Sequence, residues 1–195
     1  ANDVKEEADY IAIGSDNLRE GNYEEAVEDF KNAREMDPKS SIAAYYLGIA
    51  YKKVQDYGAA KIHLRDAITL TPPVKESVAE LADVLYQLGE FEETLNILSI
   101  AEKEGIESAQ TTYLRGVVLL KIGLGKAAIH LLEKAKSMDE RLTLSADYQI
   151  ALANLQEGNL EKARDILKEI EAFYELGCRY FRLGKQSDFY LYQND

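Results

Sequence analysis

The sequence repeats itself with a period of 34 residues, and this period constrains the fold more than any other feature. The shared pattern places an aromatic residue and small or apolar residues at fixed spacings, with a glycine before the aromatic residue in the first and third copies. Its first three copies are Gly21-x-Tyr23-x-x-Ala26-x-x-x-Phe30-x-x-Ala33, Tyr57-x-x-Ala60-x-x-x-Leu64-x-x-Ala67 and Gly89-x-Phe91-x-x-Thr94-x-x-x-Leu98-x-x-Ala101. A fourth copy follows around Ala128 and Leu132, and a fifth, offset by one residue, begins at Gly158. Such a period predicts an array of stacked structural repeats.

Each copy predicts two helices. Apolar residues at three- and four-residue spacings indicate amphipathic helices. Gly21 lies between the two helices of the first copy, where a left-handed turn residue is needed, and Asp37-Pro38 ends the second helix. Small residues at matching positions predict close approach of the paired helices; these are Gly14, Gly48, Gly116, Ala26, Ala60 and Ala128. Because helices this short are marginal alone, each pair must pack against its neighbours.

The sequence resembles the tetratricopeptide repeat family through Leu47-Gly48-x-x-Tyr51 and Gly21-x-Tyr23-x-x-Ala26, elements that recur in register over roughly residues 7–177. The resemblance implies an all-α fold, a right-handed superhelical solenoid of antiparallel helix pairs. Repeats are expected in one array at about 7–40, 41–74, 75–108, 109–142 and 144–177. Residues 178–195 are expected to form a C-terminal helix end and an aromatic tail. Pentatricopeptide arrays, which bind RNA, are disfavoured by the 34-residue period and the acidic composition.

Two glycines depart from the repeat pattern. Glu104-Gly105-Ile106 replaces the proline that closes earlier copies, and it predicts a glycine helix cap. Gly125 stands where the first three copies carry Tyr23, Tyr57 and Phe91. Its lack of a side chain predicts either a thin spot in the core or room for a neighbouring side chain.

The C-terminal stretch allows two interpretations. Leu176-Gly177-x-x-Tyr180 resembles the first helix of a sixth repeat, but it follows Ile150-Ala151 by only 26 residues. A continuous helical stripe through Leu167, Ile170 and Tyr174 favours a single helix from about Glu161 to Leu183 over a separate sixth helix.

The net charge of −12 and the pI near 4.7 exclude several classes of partner. Nucleic-acid binding needs clustered Lys and Arg that the chain lacks, and anionic membranes are disfavoured for the same reason. No apolar run approaches the roughly 20 residues of a membrane span. The sequence begins at Ala1 without a signal peptide, so we expect a soluble protein, either cytoplasmic or exported to the periplasm after removal of a leader, or an excerpt of a longer chain.

Charge alternates along the first four repeats. Residues 1–40 carry a net charge of −7, 41–74 of +2, 75–108 of −7 and 109–142 of +3. The alternation predicts attraction between neighbouring repeats, which would favour the correct stacking order. Ordinary solvated helix faces explain the same counts equally well.

In the tetratricopeptide family the first helix of each pair lines a concave groove that binds partners. Transferring those positions gives a candidate partner-binding groove formed by Tyr45, Tyr46, Ile49, Lys53, Tyr86, Tyr113, Leu114, Val117, Leu120, Tyr148, Leu152 and Leu155. If the leucines and Val117 of this groove face water, they form a large exposed apolar patch. Tyrosines at these positions either contact ligand or pack between helices, so both readings stay open. The predicted partner is an apolar or amphipathic peptide or helix of another protein.

The family's carboxylate clamp, which grips acidic peptide C-termini, is not expected here. Its Lys, Asn and Arg positions are not matched. The third repeat presents Glu76, Glu80 and Asp83 instead, and these would repel such a peptide.

Self-assembly is the alternative function. The C-terminal end is rich in aromatic residues, and it predicts an oligomer or self-docking surface through Phe181, Phe189, Tyr190, Leu191 and Tyr192. A homo-oligomer would then replace the peptide receptor.

No enzymatic function, metal or cofactor is expected. Gly123-Leu124-Gly125-Lys126 lacks the earlier glycine and the Ser or Thr of a phosphate loop. His63 and His130 lie two repeats apart, and Cys178 is the single cysteine, so no metal-ligand or disulfide pattern arises.

Overall fold

The computed structural model describes the backbone of residues 6–182 and the side chains of residues 6–175. This part of the chain is helical throughout, with short turns and no β-strand. Its elements are α1 (Glu7–Glu20), α2 (Tyr23–Met36), α3 (Ser41–Lys53), α4 (Tyr57–Thr69), α5 (Ser77–Gln87), α6 (Phe91–Lys103), α7 (Ala109–Lys121), α8 (Gly125–Met138), a 3-10 turn (Glu140–Leu142), α9 (Thr143–Gln156) and α10 (Leu160–Arg182).

The chain divides into two compact units, with the boundary between Glu107 and Ser108. In unit 1, α1 pairs with α2, α3 with α4 and α5 with α6, and each pair stacks on the next. In unit 2, α7 pairs with α8 and α9 with α10, and α8 packs against α9. The expected repeat bounds stay a prediction. That both units form one array stays a prediction.

Small residues at the helix crossings fit against one large side chain of the paired helix. A Cβ atom added to Gly14 would lie 2.7 Å from the ring of Phe30. A Cβ on Gly48 would lie 2.6 Å from Cγ of Leu64, and one on Gly116 would lie 2.8 Å from Cγ of Leu132. Each contact is far shorter than van der Waals separation, so the predicted close approach is confirmed at these three glycines.

The predicted turn residues adopt the expected conformations. Gly21 has φ of 85°, and its N–H donates to the Leu18 carbonyl at the end of α1. Gly105 has φ of 70° and follows Glu104, the residue after α6, and the next N–H, that of Ile106, donates to the Ala101 carbonyl, which confirms the glycine cap. Helix α2 ends at Met36, just before Asp37-Pro38, as the restriction on residues before proline requires.

The space left by Gly125 is filled by a neighbouring repeat. A Cβ on Gly125 would lie 2.6 Å from Oε1 of Glu157, the residue that follows α9. Of the two predicted consequences, room for a neighbouring side chain is therefore the one observed.

Helix α10 is one continuous helix of 23 residues, whereas the other α-helices have 11 to 14. This agrees with the single-helix interpretation of the C-terminal stretch. The side chain of Phe181, and Phe189 to Tyr192 altogether, lie outside the described residues, so the surface expected from them stays a prediction.

Candidate functional site

The tyrosines of α3 in unit 1 lie partly inside the core. Tyr46 stacks on the buried ring of Phe30, with ring centroids 5.3 Å apart and planes inclined by 15°. Tyr45 meets Tyr46 edge to face at 5.3 Å. Both tyrosines are half-buried. Since one ring face is already occupied, Tyr46 packs between helices, and that these tyrosines also contact a ligand stays a prediction.

The remaining groove candidates of unit 1 are either partly packed against neighbouring helices or exposed. Ile49 is half-buried and packs against the cluster that contains Leu64 and Leu81. Tyr86 is half-buried, and its ring centroid lies 5.9 Å from that of Phe91. Lys53 is exposed at the end of α3. Unit 1 therefore offers little freely exposed apolar surface at the predicted groove positions.

A lysine and two carboxylates occupy the middle of the α3 and α5 surface. The Nζ atom of Lys52 lies 2.8 Å from Oε2 of Glu80 and also pairs with Asp83. All three side chains are between one quarter and about one third exposed. Burial lowers the pKa of Lys52, but hydrogen bonds to Asp83 and Glu80 outweigh that effect and raise the pKa overall. Lys52 is thus already ion-paired. Because two carboxylates face one lysine, this part of the α3 and α5 surface carries a net negative charge.

The carboxylates of this surface also affect the pKa of Tyr45. Burial raises the pKa of the Tyr45 hydroxyl, and the charge of Glu80 raises it further. The phenol is therefore protonated at neutral pH and can donate a hydrogen bond.

Ion pairs join the basic second repeat to the acidic third repeat. Besides the Lys52 pairs, Lys61 contacts Glu90 with Nζ 2.6 Å from Oε2, and Arg65 pairs with Glu93. The hydrogen bond from Lys61 lowers the pKa of Glu90, even though burial raises it. The predicted attraction between these neighbouring repeats is confirmed.

At the predicted groove positions, the exposed apolar side chains lie in unit 2. On α9, Tyr148 is 48% exposed and Leu155 is 42% exposed, although both are large apolar side chains. Half-buried side chains on α7 and α9 lie at the other groove positions. We name as the α7/α9 face the six residues Tyr113, Leu114, Leu120, Tyr148, Leu152 and Leu155.

Val117 does not belong to this surface. It was expected in the groove, but only 6% of it is exposed. It directly follows Gly116, which lies at a close approach of α7 and α8.

A groove between α9 and α10 was not anticipated as a site. It has a volume of about 670 Å³, and it is lined by Leu144, Ser145, Tyr148, Leu167, Ile170, Glu171 and Tyr174. The helical stripe of α10 was visible in the sequence. Its open side was not, because a periodicity shows which residues share a face and not whether a neighbouring helix covers that face.

Neither histidine lies in a catalytic arrangement within the described residues. His63 is half-buried and stacks on Tyr51 at 5.4 Å, and burial together with the positive charge of Arg34 lowers its pKa. His130 is exposed. Among the described side chains, no group of three or more His, Cys, Asp or Glu residues could hold a metal ion. No helix in that part of the chain has both the length and the apolar character to cross a membrane.

Stacked helix pairs with glycines at their crossings define an all-α repeat protein. A model of the tetratricopeptide repeat family matches residues 11–74. Human tetratricopeptide repeat protein 13 is 30% identical over 172 residues, which is 85% of this chain and 18% of the relative. Xenopus laevis tetratricopeptide repeat protein 37 is 32% identical over 119 residues, 60% of this chain and 8% of that protein. The chain is a tetratricopeptide repeat protein, and it spans less than a fifth of these relatives.

Solved structures with this fold are similar over most of the chain. The MamA protein matches with a TM-score of 0.77 and 22% identity, covering 89% of this chain and 94% of its own. PilF of Pseudomonas aeruginosa has a TM-score of 0.70 and 20% identity, covering 96% and 88%. YrrB, described as a tetratricopeptide repeat protein with an unusual peptide-binding site, has a TM-score of 0.72 and 20% identity, covering 89% and 91%. Identities this low bear on the fold alone.

Proposed function

We propose that this protein binds an apolar or amphipathic segment of a partner protein on the α7/α9 face. The observation that carries the proposal is the exposure of Tyr148 and Leu155, seven residues apart on one side of α9, with Leu152 between them. Seven residues make about two helical turns, so the three side chains form one stripe. A contiguous apolar stripe on the first helix of a pair is typical of a partner-binding surface.

The chemistry of the face favours an apolar ligand. Burying a leucine or aromatic side chain contributes roughly 1.5–3 kcal/mol, and Leu155 and Tyr148 each retain exposed area to bury. Tyrosine adds a hydroxyl that can pair with the ligand backbone. The exposed Lys121 and Gln156 end α7 and α9, and they provide polar groups beside the apolar stripe.

Unit 1, taken by itself, is unsuited to an acidic peptide. Lys52, the basic residue at the centre of the α3 and α5 surface, already pairs with Glu80 and Asp83. An acidic peptide C-terminus would meet two carboxylates and an engaged lysine there. This supports a binding mode without a carboxylate clamp.

Selection from a phage-displayed library of random peptides of about 16 residues, enough for four helical turns, tests the proposal. We expect the selected peptides to carry Leu, Ile or Phe at three- and four-residue spacings. The double variant Leu152→Glu, Leu155→Glu should bind them at least about tenfold more weakly, because each glutamate would be desolvated against an apolar ligand. Fluorescence anisotropy of labelled peptides measures the affinities.

A matched control is Ile62→Glu. Ile62 is 61% exposed on α4, a second helix of its pair, so its replacement makes the same chemical change outside the α7/α9 face. It should leave peptide affinity unchanged. Equal binding to wild type and the Leu152→Glu, Leu155→Glu variant, with both folded by circular dichroism, would contradict the proposal.

Self-assembly through Phe181 and Phe189 to Tyr192 stays a prediction, since those side chains lie outside the described residues. The absence of catalytic activity is likewise a prediction. It is consistent with the scaffold class to which the fold belongs.

A further inference from the structure

Three apolar residues form an open stripe along α10. Leu160 is 64% exposed, Leu167 is half-buried and Tyr174 is 62% exposed. Successive members lie seven residues apart, about two helical turns, so they share one side of the helix. The adjacent side of α10 carries Ala163, which is fully buried within unit 2. We name Leu160, Leu167 and Tyr174 the α10 stripe.

The α10 stripe borders the groove between α9 and α10. Leu144 and Tyr148 of α9 form the opposite wall, and Leu167 and Tyr174 form the α10 wall. An exposed leucine, an exposed tyrosine and an open apolar groove on one side of a helix pair indicate a docking surface for another helix.

Charges beside the stripe are arranged with internal symmetry. Arg164 has a side chain that is 61% exposed, and its ion pair with the neighbouring Asp165 is a long one, with Nε 3.9 Å from Oδ1; Glu171 is also exposed. They lie seven residues apart on the same flank of the stripe, one on each side of Leu167 along the helix. A surface with opposite charges three residues before and four residues after a central apolar residue can pair with a rotated copy of itself, as a two-fold symmetric interface requires.

We propose that a second copy of this chain docks on the α10 stripe, with the two α10 helices antiparallel and the two-fold axis beside Leu167. This arrangement brings the two Leu167 side chains together. It places Leu160 of each copy against Tyr174 of the other, twice by symmetry. It also places Arg164 of each copy opposite Glu171 of the other, giving two ion pairs at the edge of an apolar contact.

The charge pattern favours a second copy over a peptide or another protein. A partner of different sequence would need to supply an acid for Arg164 and a base for Glu171 at the same spacing. The chain itself supplies both. The inference concerns self-association through α10. Because Tyr148 lines the groove between α9 and α10 and also belongs to the α7/α9 face, self-association and peptide affinity are measured separately.

Reversing the charge of Arg164 or of Glu171 tests the proposal directly. Sedimentation velocity over a wide range of protein concentration measures the oligomeric state of each variant. Wild type should show a concentration-dependent dimer. Arg164→Glu and Glu171→Arg should each be largely monomeric, because each homodimer would oppose like charges twice. An equimolar mixture of these two variants should form a heterodimer, since every flanking pair is then complementary again.

The control Lys162→Glu changes the net charge by the same amount as Arg164→Glu, at an exposed α10 position off the stripe. It should dimerise like wild type. The proposal is overturned if wild type is monomeric at every concentration, or if the two charge variants do not associate when mixed. It is also overturned if a chain ending at Arg182 dimerises while the full chain does not, because the chain's own residues 183–195 would then occupy the stripe.

Discussion

Replacing Gly48 by alanine is expected to destabilise unit 1 by about 1–3 kcal/mol, the usual range for overpacking a core. The new Cβ would lie 2.6 Å from Cγ and 2.9 Å from Cδ2 of Leu64, and 3.2 Å from the Leu64 backbone nitrogen. Leu64 is fully buried, so it has no free space to move into. Urea unfolding followed by far-ultraviolet circular dichroism measures the loss.

A double-mutant cycle identifies the cause of that loss. Leu64→Ala alone should cost about 2–5 kcal/mol through the cavity that it leaves. Combined with Gly48→Ala, the total should fall short of the sum, because the added methyl group enters that cavity. Gly58→Ala is the control: its Cβ would meet only Oδ1 of Asp56 at 3.6 Å, and alanine is the better helix former. Strict additivity of Gly48→Ala and Leu64→Ala would contradict the close-approach account.

Replacing Lys52 by methionine is expected to cost about 1–3 kcal/mol at neutral pH, because Glu80 and Asp83 lose hydrogen bonds from a charged donor. The pKa of Lys52 is raised in the folded state, so its stabilisation is complete below pH 10.5, the ordinary lysine value. It is lost as the pH rises through the raised pKa. The difference in free energy of unfolding between wild type and variant should therefore be constant near neutrality and shrink above about pH 10.5.

Lys53→Met provides the matched control for this ion-pair cluster. Lys53 is the next residue of α3 and is exposed, and among the described residues it makes no ion pair. Its replacement should change stability by no more than about 0.5 kcal/mol. Equal losses for Lys52→Met and Lys53→Met would show that the cluster contributes nothing specific.

The features that were predictable from the sequence depend on positions within one repeat. Glycines fall at multiples of the 34-residue period, at the helix crossings (Gly14, Gly48 and Gly116) and at the turns (Gly21, Gly89 and Gly123). Steric requirements alone assign roles to these glycines and also to Gly105, which lies outside the period. Charge counts anticipated the attraction between the second and third repeats, but the partners of Lys61 and Arg65 required the stacked geometry.

The features that the sequence left open depend on neighbouring helices. Tyr46 occupies a groove position, yet its ring stacks on Phe30 of the preceding pair. Val117 shares the groove pattern and is buried. One side of α10 is open because no helix among the described residues covers it. The periodicity of α10 shows which residues share that side, but it does not show whether another helix covers them.

Site-specific photo-crosslinking tests the central claim, partner binding on the α7/α9 face, most directly. Benzoylphenylalanine is introduced at Leu155 in one variant and at Ile62 in another, and each is irradiated with a labelled peptide from the library selection. Both positions are exposed apolar residues on helices, but only Leu155 lies on the proposed face. We expect a crosslink to the peptide from position 155, none from position 62, and competition by unlabelled peptide. Equal crosslinking at both positions, or crosslinking from position 62 alone, would contradict the account.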